Sequence, residues 1–301
     1  MSAPTANVRT VLVTGATGTV GGAVVDALAA SGRYIIHAVV RRPLPDRGSI
    51  VLRIADLSLP GFSAALNDTE YDFIIHCAQP RIDREPTSPG EDFDLRVVRE
   101  LERLCTSKTQ RLLYTSGVWV YGHQPAGQRI RETSLLNPIR HAIGRLRTLN
   151  YLRAQSPYPW VEIVLPSLVY GNKTILNLRA GLLSGAAAVI DDESILWSLI
   201  ERADAGQAYL RLLEANDSER LFVVAEQEPL PVVQLYRMVA DGLGLSFRGT
   251  PLEVLARSIP APDLEVMSIS QPVDSSLFRS RTGWRNRHVF RDRCKDFLKN
   301  Q

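Results

Sequence analysis

Cysteine is scarce in this sequence of 301 residues, and the three cysteines that occur lie far apart. Cys77, Cys105 and Cys294 form no CxxC pair and no cysteine–histidine spacing, so we expect neither a disulfide framework nor a metal site. Long apolar runs are also missing, since no segment approaches the roughly 20 apolar residues that cross a bilayer. The N-terminal segment lacks the apolar core of a secretory signal. These absences predict a cytoplasmic protein without a membrane partner.

A large excess of charge is absent as well. The formal net charge is +3, with 35 basic and 32 acidic residues. Nucleic-acid binders usually gather lysine and arginine on one face, often between aromatic side chains. The densest basic run, at 281–293, also contains Trp284 and Phe290, as a packed C-terminal segment would. Nucleic acid is therefore not an expected partner. The consecutive acids Asp191–Glu193 are interpreted as a solvated turn rather than as metal ligands.

A glycine-rich turn stands between two apolar segments near the start of the chain. Val11–Val13 is a short apolar run typical of a buried strand. It is followed in GxxGxxG spacing by Gly15, Gly18 and Gly21. Apolar residues then recur at helical intervals until a second strand pattern at Tyr34–Val40. Strand, glycine turn, helix and strand within about thirty residues is the context in which such a motif binds a dinucleotide.

Each glycine has a physical reason at its place. Gly15 lets the chain turn sharply, Gly18 lets the backbone approach a pyrophosphate, and Gly21 lets the helix pack close to the strand. The helix N-terminus offers free N–H groups and the positive end of its dipole to the phosphates. The sequence therefore predicts a dinucleotide site. The alternative is a glycine-rich turn of an α/β protein that binds nothing.

The end of the second predicted strand indicates which dinucleotide is bound. NAD sites usually place Asp or Glu there to accept a hydrogen bond from the ribose 2′-hydroxyl, whereas NADP sites place Arg near the 2′-phosphate. This chain has Arg41 and Arg42 and no acid before Asp46. Two guanidinium groups can bind a phosphate in bidentate fashion, which favours NADP(H) over NAD. Alternatively, both arginines are solvated loop charges.

Six further segments follow the glycine turn in an order that is typical of one family. They are Ala55–Leu57, Tyr71–Ala78, Leu113–Gly122, Leu165–Gly171, Trp197–Tyr209 and Asp274–Trp284. Together with the turn they resemble the extended short-chain dehydrogenase/reductases, the group of nucleotide-sugar epimerases, dehydratases and 4-ketoreductases. The turn also resembles that of the NmrA-like atypical members. The resemblance covers nearly the whole chain, although Leu165 stands where the family usually has Arg.

The resemblance implies an α/β fold with a doubly wound parallel sheet of the Rossmann type, and the pattern of the sequence predicts the same. Apolar strands at 11–13, 34–40, 50–54, 72–77, 111–115 and 161–165 alternate with helical segments such as 95–104 and 143–154. Residues 1–171 would form the dinucleotide-binding core, completed by about 195–226. Segments 172–194 and 227–301 would form a small C-terminal substrate lobe over the carboxyl ends of the strands.

The resemblance also implies the cofactor contacts, residue by residue. In relatives, the pair matching Asp56 and Leu57 contacts the adenine, and the segment that ends at Ala78 lies beside the nicotinamide-side ribose. The residues expected to hold NADP(H) are Gly15, Thr17, Gly18, Thr19, Val20, Gly21, Arg41, Arg42, Asp56, Leu57, Cys77, Ala78, Gln79, Thr115, Arg145, Pro166 and Leu168.

The family's catalytic positions carry unusual residues in this chain. Where relatives have Ser or Thr, Tyr and Lys, this sequence has Gly117, His141 and Arg145, and Ser116 precedes the first position. A histidine of ordinary pKa, about 6.5, can donate a proton near neutral pH, and residues four apart share one helix face. We therefore predict Ser116, His141 and Arg145 as catalytic, or alternatively an ordinary helix surface. His76, at the end of a predicted strand, is interpreted as a packing residue.

The predicted activity is the NADP(H)-dependent reduction of a small-molecule carbonyl, such as a keto-sugar nucleotide or an intermediate of specialised metabolism. Two alternatives stay open. One is an isomerase, epimerase or cyclase that works without net redox, and the other is a non-catalytic NADP-binding regulator, as the NmrA-like resemblance suggests. The oligomeric state is open too; a homodimer formed through two helices, as in many relatives, is one alternative.

Overall fold

Eleven strands occur in the computed structural model, which describes residues 8–45, 48–79, 93–215 and 217–299. In chain order they are β1 (Arg9–Thr14), β2 (Tyr34–Val40), β3 (Ile50–Ile54), β4 (Phe73–His76), β5 (Arg111–Gly117), β6 (Trp160–Leu165), β7 (Leu168–Tyr170), β8 (Leu196–Trp197), β9 (Leu199–Glu201), β10 (Leu221–Val223) and β11 (Leu230–Pro231). Outside the main sheet, β7 pairs with β9 and β8 pairs with β11.

Seven of these strands form the main sheet, in the order β10–β6–β5–β4–β1–β2–β3. The pairs β1–β2, β2–β3, β1–β4 and β4–β5 are parallel. The chain builds the sheet outwards from β1 to β3, then returns to β4 and continues towards the other edge. The strand order thus reverses between β1 and β4, and sheets of this kind bind ligands outside the carboxyl ends of the strands at such a reversal. The predicted doubly wound parallel sheet is confirmed.

The six predicted strands are all present, close to their expected limits. Parallel strands covered by helices are buried on both faces, so they read as continuous apolar runs in the sequence. Val11, Leu12 and Val13 accordingly have no exposed surface. The seventh strand, β10, has only three residues, which is too short for a periodic pattern to reveal.

Ten α-helices accompany the strands in the described residues. They are α1 (Thr19–Ser31), α2 (Phe93–Glu102), α3 (Arg145–Ala154), α4 (Asn172–Leu183), α5 (Arg202–Glu214), α6 (Val232–Gly242), α7 (Leu252–Leu255), α8 (Ala261–Ser268), α9 (Ser276–Thr282) and α10 (Phe290–Lys299). Short 3₁₀ turns lie at Phe62–Ala65, Val118–Tyr121 and Arg140–Ala142. None of these helices combines the length and the apolar character needed to cross a bilayer.

The chain folds into two compact units, each assembled from separate segments. The first unit takes its described residues from Met1–Thr115, Gly144–Glu162 and Tyr209–Arg220. The second takes its described residues from Ser116–Ile143, Ile163–Ala208 and Leu221–Gln301. Apolar clusters around Tyr170 and around Val233 form part of the core of the second unit. The assignment of 172–194 and 227–301 to substrate binding stays a prediction.

Candidate cofactor-binding and catalytic site

The glycine turn after β1 is built as the spacing predicted. Gly15 has a φ of +68°, and a Cβ there would lie 2.6 Å from the backbone nitrogen of Ala78. A Cβ on Gly21 would lie 2.2 Å from the Gly15 carbonyl oxygen, so only glycine lets α1 come this close to the turn. The Gly18 N–H closes the turn by donating to the same carbonyl at 2.9 Å. Gly15 thus has the left-handed backbone that a sharp turn requires, and Gly21 packs against the turn; the predicted contacts of these glycines with a dinucleotide stay predictions.

The N-terminus of α1 follows this turn directly and is open to an anion. Gly18 caps the helix without a side-chain hydrogen bond, and the first turn contains no acidic residue. Thr17, Gly18 and Thr19 are exposed. The first N–H groups of a helix have no partner within the helix, and the dipole makes this end positive. The geometry therefore suits a phosphate group.

Arg41 and Arg42, predicted to distinguish NADP from NAD, follow β2, and Asp56 and Leu57, predicted to contact the adenine, follow β3. Arg41 and Arg42 are exposed, and no hydrogen bond or ion pair joins their side chains to another described residue. Asp56 accepts hydrogen bonds from the Ser58 N–H at 2.9 Å and the Ser58 hydroxyl at 2.7 Å. The Arg96 guanidinium donates to the Leu57 carbonyl at 3.2 Å. The loop after β3 is thus held in place, while the two arginines stay accessible to a ligand.

The predicted residues at the ends of β4 and β5 form a hydrogen-bonded group in which Thr115 is buried and Cys77 is half-buried. The Thr115 hydroxyl donates to the Cys77 sulfur at 3.2 Å and lies 2.7 Å from the Tyr209 hydroxyl. Burial raises the pKa of Cys77 to about 11, so its thiol stays protonated and is a poor nucleophile. Burial also raises the pKa of Tyr209 well above its usual value. Cys77 and Tyr209 therefore supply no proton near neutral pH.

His76 lies at the end of β4 and is wholly enclosed. Its Nδ1 is 2.7 Å from the Thr14 hydroxyl, and its ring lies 5.9 Å from that of Tyr114. Burial, opposed in part by the charge of Asp94, lowers the pKa of His76 to about 4. The imidazole is therefore neutral at physiological pH. This environment agrees with the interpretation of His76 as a packing residue.

Arg145 is the first residue of α3, and its side chain reaches back to the end of β5. One guanidinium nitrogen, Nη1, donates to the Thr115 carbonyl at 3.1 Å. Another, Nε, lies 3.9 Å from Oδ2 of Asp94, a buried acid on α2. The Tyr114 hydroxyl donates to the same Asp94 oxygen at 2.8 Å.

Asp94 is the polar residue of this group that sequence reasoning missed. It starts a series at helical spacing whose other members, Val97, Val98 and Leu101, have no exposed surface. An acid at the head of the apolar face of an amphipathic helix must be buried, and a buried carboxylate needs partners. That pattern is a signal the sequence contains.

His141 and Ser116 belong to the second unit. The Ser116 hydroxyl is buried and makes no hydrogen bond with any described residue. His141 lies in the 3₁₀ turn Arg140–Ala142, with Nε2 3.2 Å from Oδ1 of Asp263 and its ring 6.2 Å from that of Trp119. The assumption that His141 and Arg145 share one helix face is wrong, because α3 begins only at Arg145. The roles predicted for these side chains stay predictions.

A chain of hydrogen bonds fixes the backbone around Ser116 and the predicted residues Pro166 and Leu168. The Trp119 indole N–H donates to the Ser167 hydroxyl at 3.0 Å, and this hydroxyl donates to Oε1 of Gln271 at 2.9 Å. The side-chain amide nitrogen of Gln271 donates in turn to two carbonyl oxygens, that of Val118 at the start of the 3₁₀ turn Val118–Tyr121 and that of Gly122 directly after it. Gln271 therefore ties the turn after β5 to the segment between β6 and β7.

A group of acids in the second unit anchors the segment before α10. Asp204 accepts hydrogen bonds from the backbone N–H groups of Arg287 and His288 and lies 3.1 Å from Nδ1 of His288. Glu226 accepts one from the Phe290 N–H at 3.1 Å. Burial raises the pKa of Glu226 to about 7, with a further rise from the charge of Asp204. Through these bonds Asp204 and Glu226 fix the backbone of residues 287–290.

The parallel sheet, its reversal between β1 and β4 and the glycine turn before α1 define a Rossmann-type α/β protein. Residues 11–144 match the model of the NAD dependent epimerase/dehydratase family. This match, over 134 of the 301 residues, confirms the resemblance predicted from the sequence for that part of the chain. A search of curated protein sequences found no significant match.

Solved structures with the same fold have low sequence identity to this chain. MoeE5, in complex with UDP-glucuronic acid and NAD, is 22% identical with a TM-score of 0.75, over 96% of this chain and 99% of that one. UDP-glucose 4-epimerase from Thermus thermophilus, in complex with NAD, is 20% identical with a TM-score of 0.74, over 96% and 98%. dTDP-glucose 4,6-dehydratase from Bacillus anthracis str. Ames, in complex with NAD, is 14% identical with a TM-score of 0.75, over 97% and 96%.

Proposed function

We propose that this protein binds a nicotinamide dinucleotide, with a preference for NADP(H), and reduces the carbonyl group of a small molecule. The observation that carries the proposal is the glycine turn before the uncapped N-terminus of α1, with Arg41 and Arg42 accessible at the end of β2. The family match of residues 11–144 supports a nicotinamide cofactor. The solved structures of similar fold hold NAD, so the preference for NADP(H) rests on the two arginines alone.

The residues present fit such a cofactor. The space that a Cβ would fill at Gly15 and Gly21 is taken by backbone, which is the close packing a pyrophosphate cradle requires. In the proposal, Thr17 to Val20 bind the pyrophosphate, Asp56 and Leu57 bind the adenine, and Thr115 and Arg145 bind the nicotinamide-side ribose. When bound, the nicotinamide ring supplies or accepts a hydride.

The protein must then supply the proton that accompanies the hydride. We assign this role to His141, with Asp263 as the carboxylate that orients its imidazole at 3.2 Å. The buried Ser116 hydroxyl, which has no partner among the described residues, would donate a hydrogen bond to the substrate oxygen. General acid catalysis of this kind contributes about 10²–10⁴-fold to a rate. The substrate class we favour is a keto-sugar nucleotide or a carbonyl intermediate of specialised metabolism.

Titration with NADPH and with NADH, followed by nicotinamide fluorescence, tests the cofactor assignment. We expect NADPH to bind more tightly, and the double substitution Arg41→Ala/Arg42→Ala to weaken NADPH binding about 10- to 100-fold while NADH binding stays the same. Arg33→Ala is the matched control, because Arg33 is an exposed arginine at the opposite end of α1, paired with Glu214. Equal loss for both dinucleotides would contradict the preference, and no binding of either would overturn the proposed function.

A second candidate function is non-catalytic dinucleotide binding. It is favoured by the unusual residues His141 and Arg145, which stand where relatives have Tyr and Lys. Each of these side chains is in contact with a carboxylate: Asp263 contacts His141, and Asp94 contacts Arg145. A panel of carbonyl substrates separates the functions. Stoichiometric NADPH consumption supports the reductase, product formation without net NADPH consumption supports an isomerase or epimerase, and binding without any turnover supports the regulator.

A further inference from the structure

Asp94 is a buried acid in contact with Arg145, a residue of the proposed cofactor site. It lies in the first turn of α2 with 5% of its surface exposed. A buried carboxylate is stable only where charges or hydrogen-bond donors compensate it. Among the described residues, the compensating groups are the Tyr114 hydroxyl at 2.8 Å and Nε of Arg145 at 3.9 Å, both at Oδ2.

Tyr114 acts as a fixed donor to this carboxylate. The tyrosine is wholly buried on β5, and burial raises its pKa well above the usual value, so its hydroxyl keeps its proton. The neighbouring His76 stays neutral, since burial lowers its pKa to about 4. His76 therefore does not compete as a cation for the negative charge of Asp94. The carboxylate is left to interact with Arg145.

Arg145 is held from two directions by this arrangement. Its Nη1 donates to the Thr115 carbonyl at 3.1 Å, and Thr115 is the next residue along β5 after Tyr114. An arginine side chain loses considerable rotamer freedom when it is fixed. Contacts that fix it before a ligand binds make the binding tighter, because the ordering has already occurred.

We infer that Asp94 is a positioning residue: together with Tyr114 it holds the Arg145 guanidinium at the end of β5, in the orientation in which Arg145 contacts the nicotinamide-side ribose. The inference rests on the proposed function, since it requires a bound dinucleotide. In this inference Asp94 acts on cofactor binding only through Arg145. Its effect must therefore be confined to the nicotinamide half of the ligand, and the adenine half must bind independently of it.

The test compares a whole dinucleotide with its adenine half. Dissociation constants for NADPH and for 2′,5′-ADP are measured by calorimetry on the full chain; NADH and 5′-AMP replace them if NADH is the better ligand. We expect Asp94→Asn to weaken NADPH binding about tenfold and to leave 2′,5′-ADP binding unchanged. The variant Tyr114→Phe should also weaken NADPH binding and leave 2′,5′-ADP binding unchanged, but by a smaller factor. Because it removes only a hydroxyl, it provides the test if Asp94→Asn does not fold.

Glu100→Gln is the matched control. Glu100 is also a buried acid of α2 with 5% of its surface exposed, but its partners are Ser63 and Arg103 rather than Arg145. This variant should bind both ligands as the wild type does. Arg145→Gln should reproduce the selective loss, and the double variant Asp94→Asn/Arg145→Gln should lose little more, because the two residues act through one contact.

The outcomes separate this inference from the proposed function. Equal weakening of both ligands by Asp94→Asn would assign Asp94 a purely structural role, and no change in either would remove any role in binding. Both results would overturn the inference and leave the dinucleotide assignment standing. A wild-type protein that binds neither ligand would overturn the proposed function, and the positioning role with it.

Discussion

At the scale of single residues, two histidines of the second unit have similar local geometry but different partners. The side chain of His141 is 26% exposed and lies 3.2 Å from Asp263, and that of His288 is 27% exposed and lies 3.1 Å from Asp204. Asp263 is 59% exposed, whereas Asp204 is 1% exposed. An exposed ion pair is screened by water and contributes little to stability. The contact of His141 with Asp263 therefore contributes little to stability, whereas the contact of His288 is made with a buried carboxylate.

Substitution of each histidine by glutamine tests this contrast. We expect His141→Gln to lower kcat of carbonyl reduction about 10²–10⁴-fold, with little change in the dissociation constant of NADPH. His288→Gln should leave kcat of the folded protein near the wild-type value. Steady-state kinetics at saturating NADPH, with the fluorescence titration as the binding measurement, checks both. Unchanged hydride transfer in His141→Gln would show that another group supplies the proton.

At the scale of elements, α1 and the glycine turn are in close backbone contact. The Gly15 carbonyl accepts from the Gly18 N–H at 2.9 Å and lies where a Cβ on Gly21 would come within 2.2 Å. Both contacts involve backbone, which cannot move aside as a flexible side chain can. The start of α1 and the turn therefore keep their shape together. Any side chain at position 21 must push them apart.

Gly21→Ala should accordingly destabilise the first unit by about 1–3 kcal/mol and weaken dinucleotide binding. Gly144→Ala is the control, since Gly144 has helical backbone angles before α3 and a Cβ there would meet nothing within 4 Å. That control should be neutral or gain up to about 1 kcal/mol from reduced freedom of the unfolded chain. Urea unfolding measures both variants. Equal stability of Gly21→Ala and the wild type would contradict the close packing described for α1.

At the scale of the whole molecule, two buried groups make stability depend on pH in opposite directions. Burial raises the pKa of Glu226 to about 7, so folding favours its protonated form. The stability it contributes is present at low pH and is lost as pH rises from its unfolded value of 4.5 to about 7. Burial lowers the pKa of His76 to about 4 from 6.5, so its contribution is lost as pH falls through that interval. Between these limits the two effects partly cancel.

The variant Glu226→Gln tests the contribution of Glu226 to the pH dependence of stability. Glutamine keeps an oxygen that accepts from the Phe290 N–H and cannot ionise. The free energy of unfolding of the variant, relative to wild type, should rise by about 3 kcal/mol between pH 5 and pH 8. Glu228→Gln, at an exposed acid two residues further on, should show no such rise. Urea unfolding at both pH values measures the difference, and a constant difference would contradict a raised pKa for Glu226.

The six long strands, the glycine turn and the first helix were predictable because each depends on neighbours in the chain. Continuous apolar runs indicate strands that are buried between two layers of helices. Gly15 and Gly21 indicate positions where a side chain would clash with neighbouring backbone. The start of α3 was predicted too early, at residue 143 instead of Arg145. No capping side chain marks the start of α3. The apolar periodicity alone therefore placed the start of the helix within the preceding turn.

The sequence by itself therefore determined the fold class, the family resemblance and the location of a dinucleotide motif. Only the tertiary structure decided which charges meet: Asp94 and Arg145 lie 51 positions apart, and His141 and Asp263 lie 122 apart. Backbone preferences and hydrophobic periodicity act over a few residues and leave their record in consecutive positions. An ion pair between distant segments leaves no such record, because it forms only after packing has brought the two helices together.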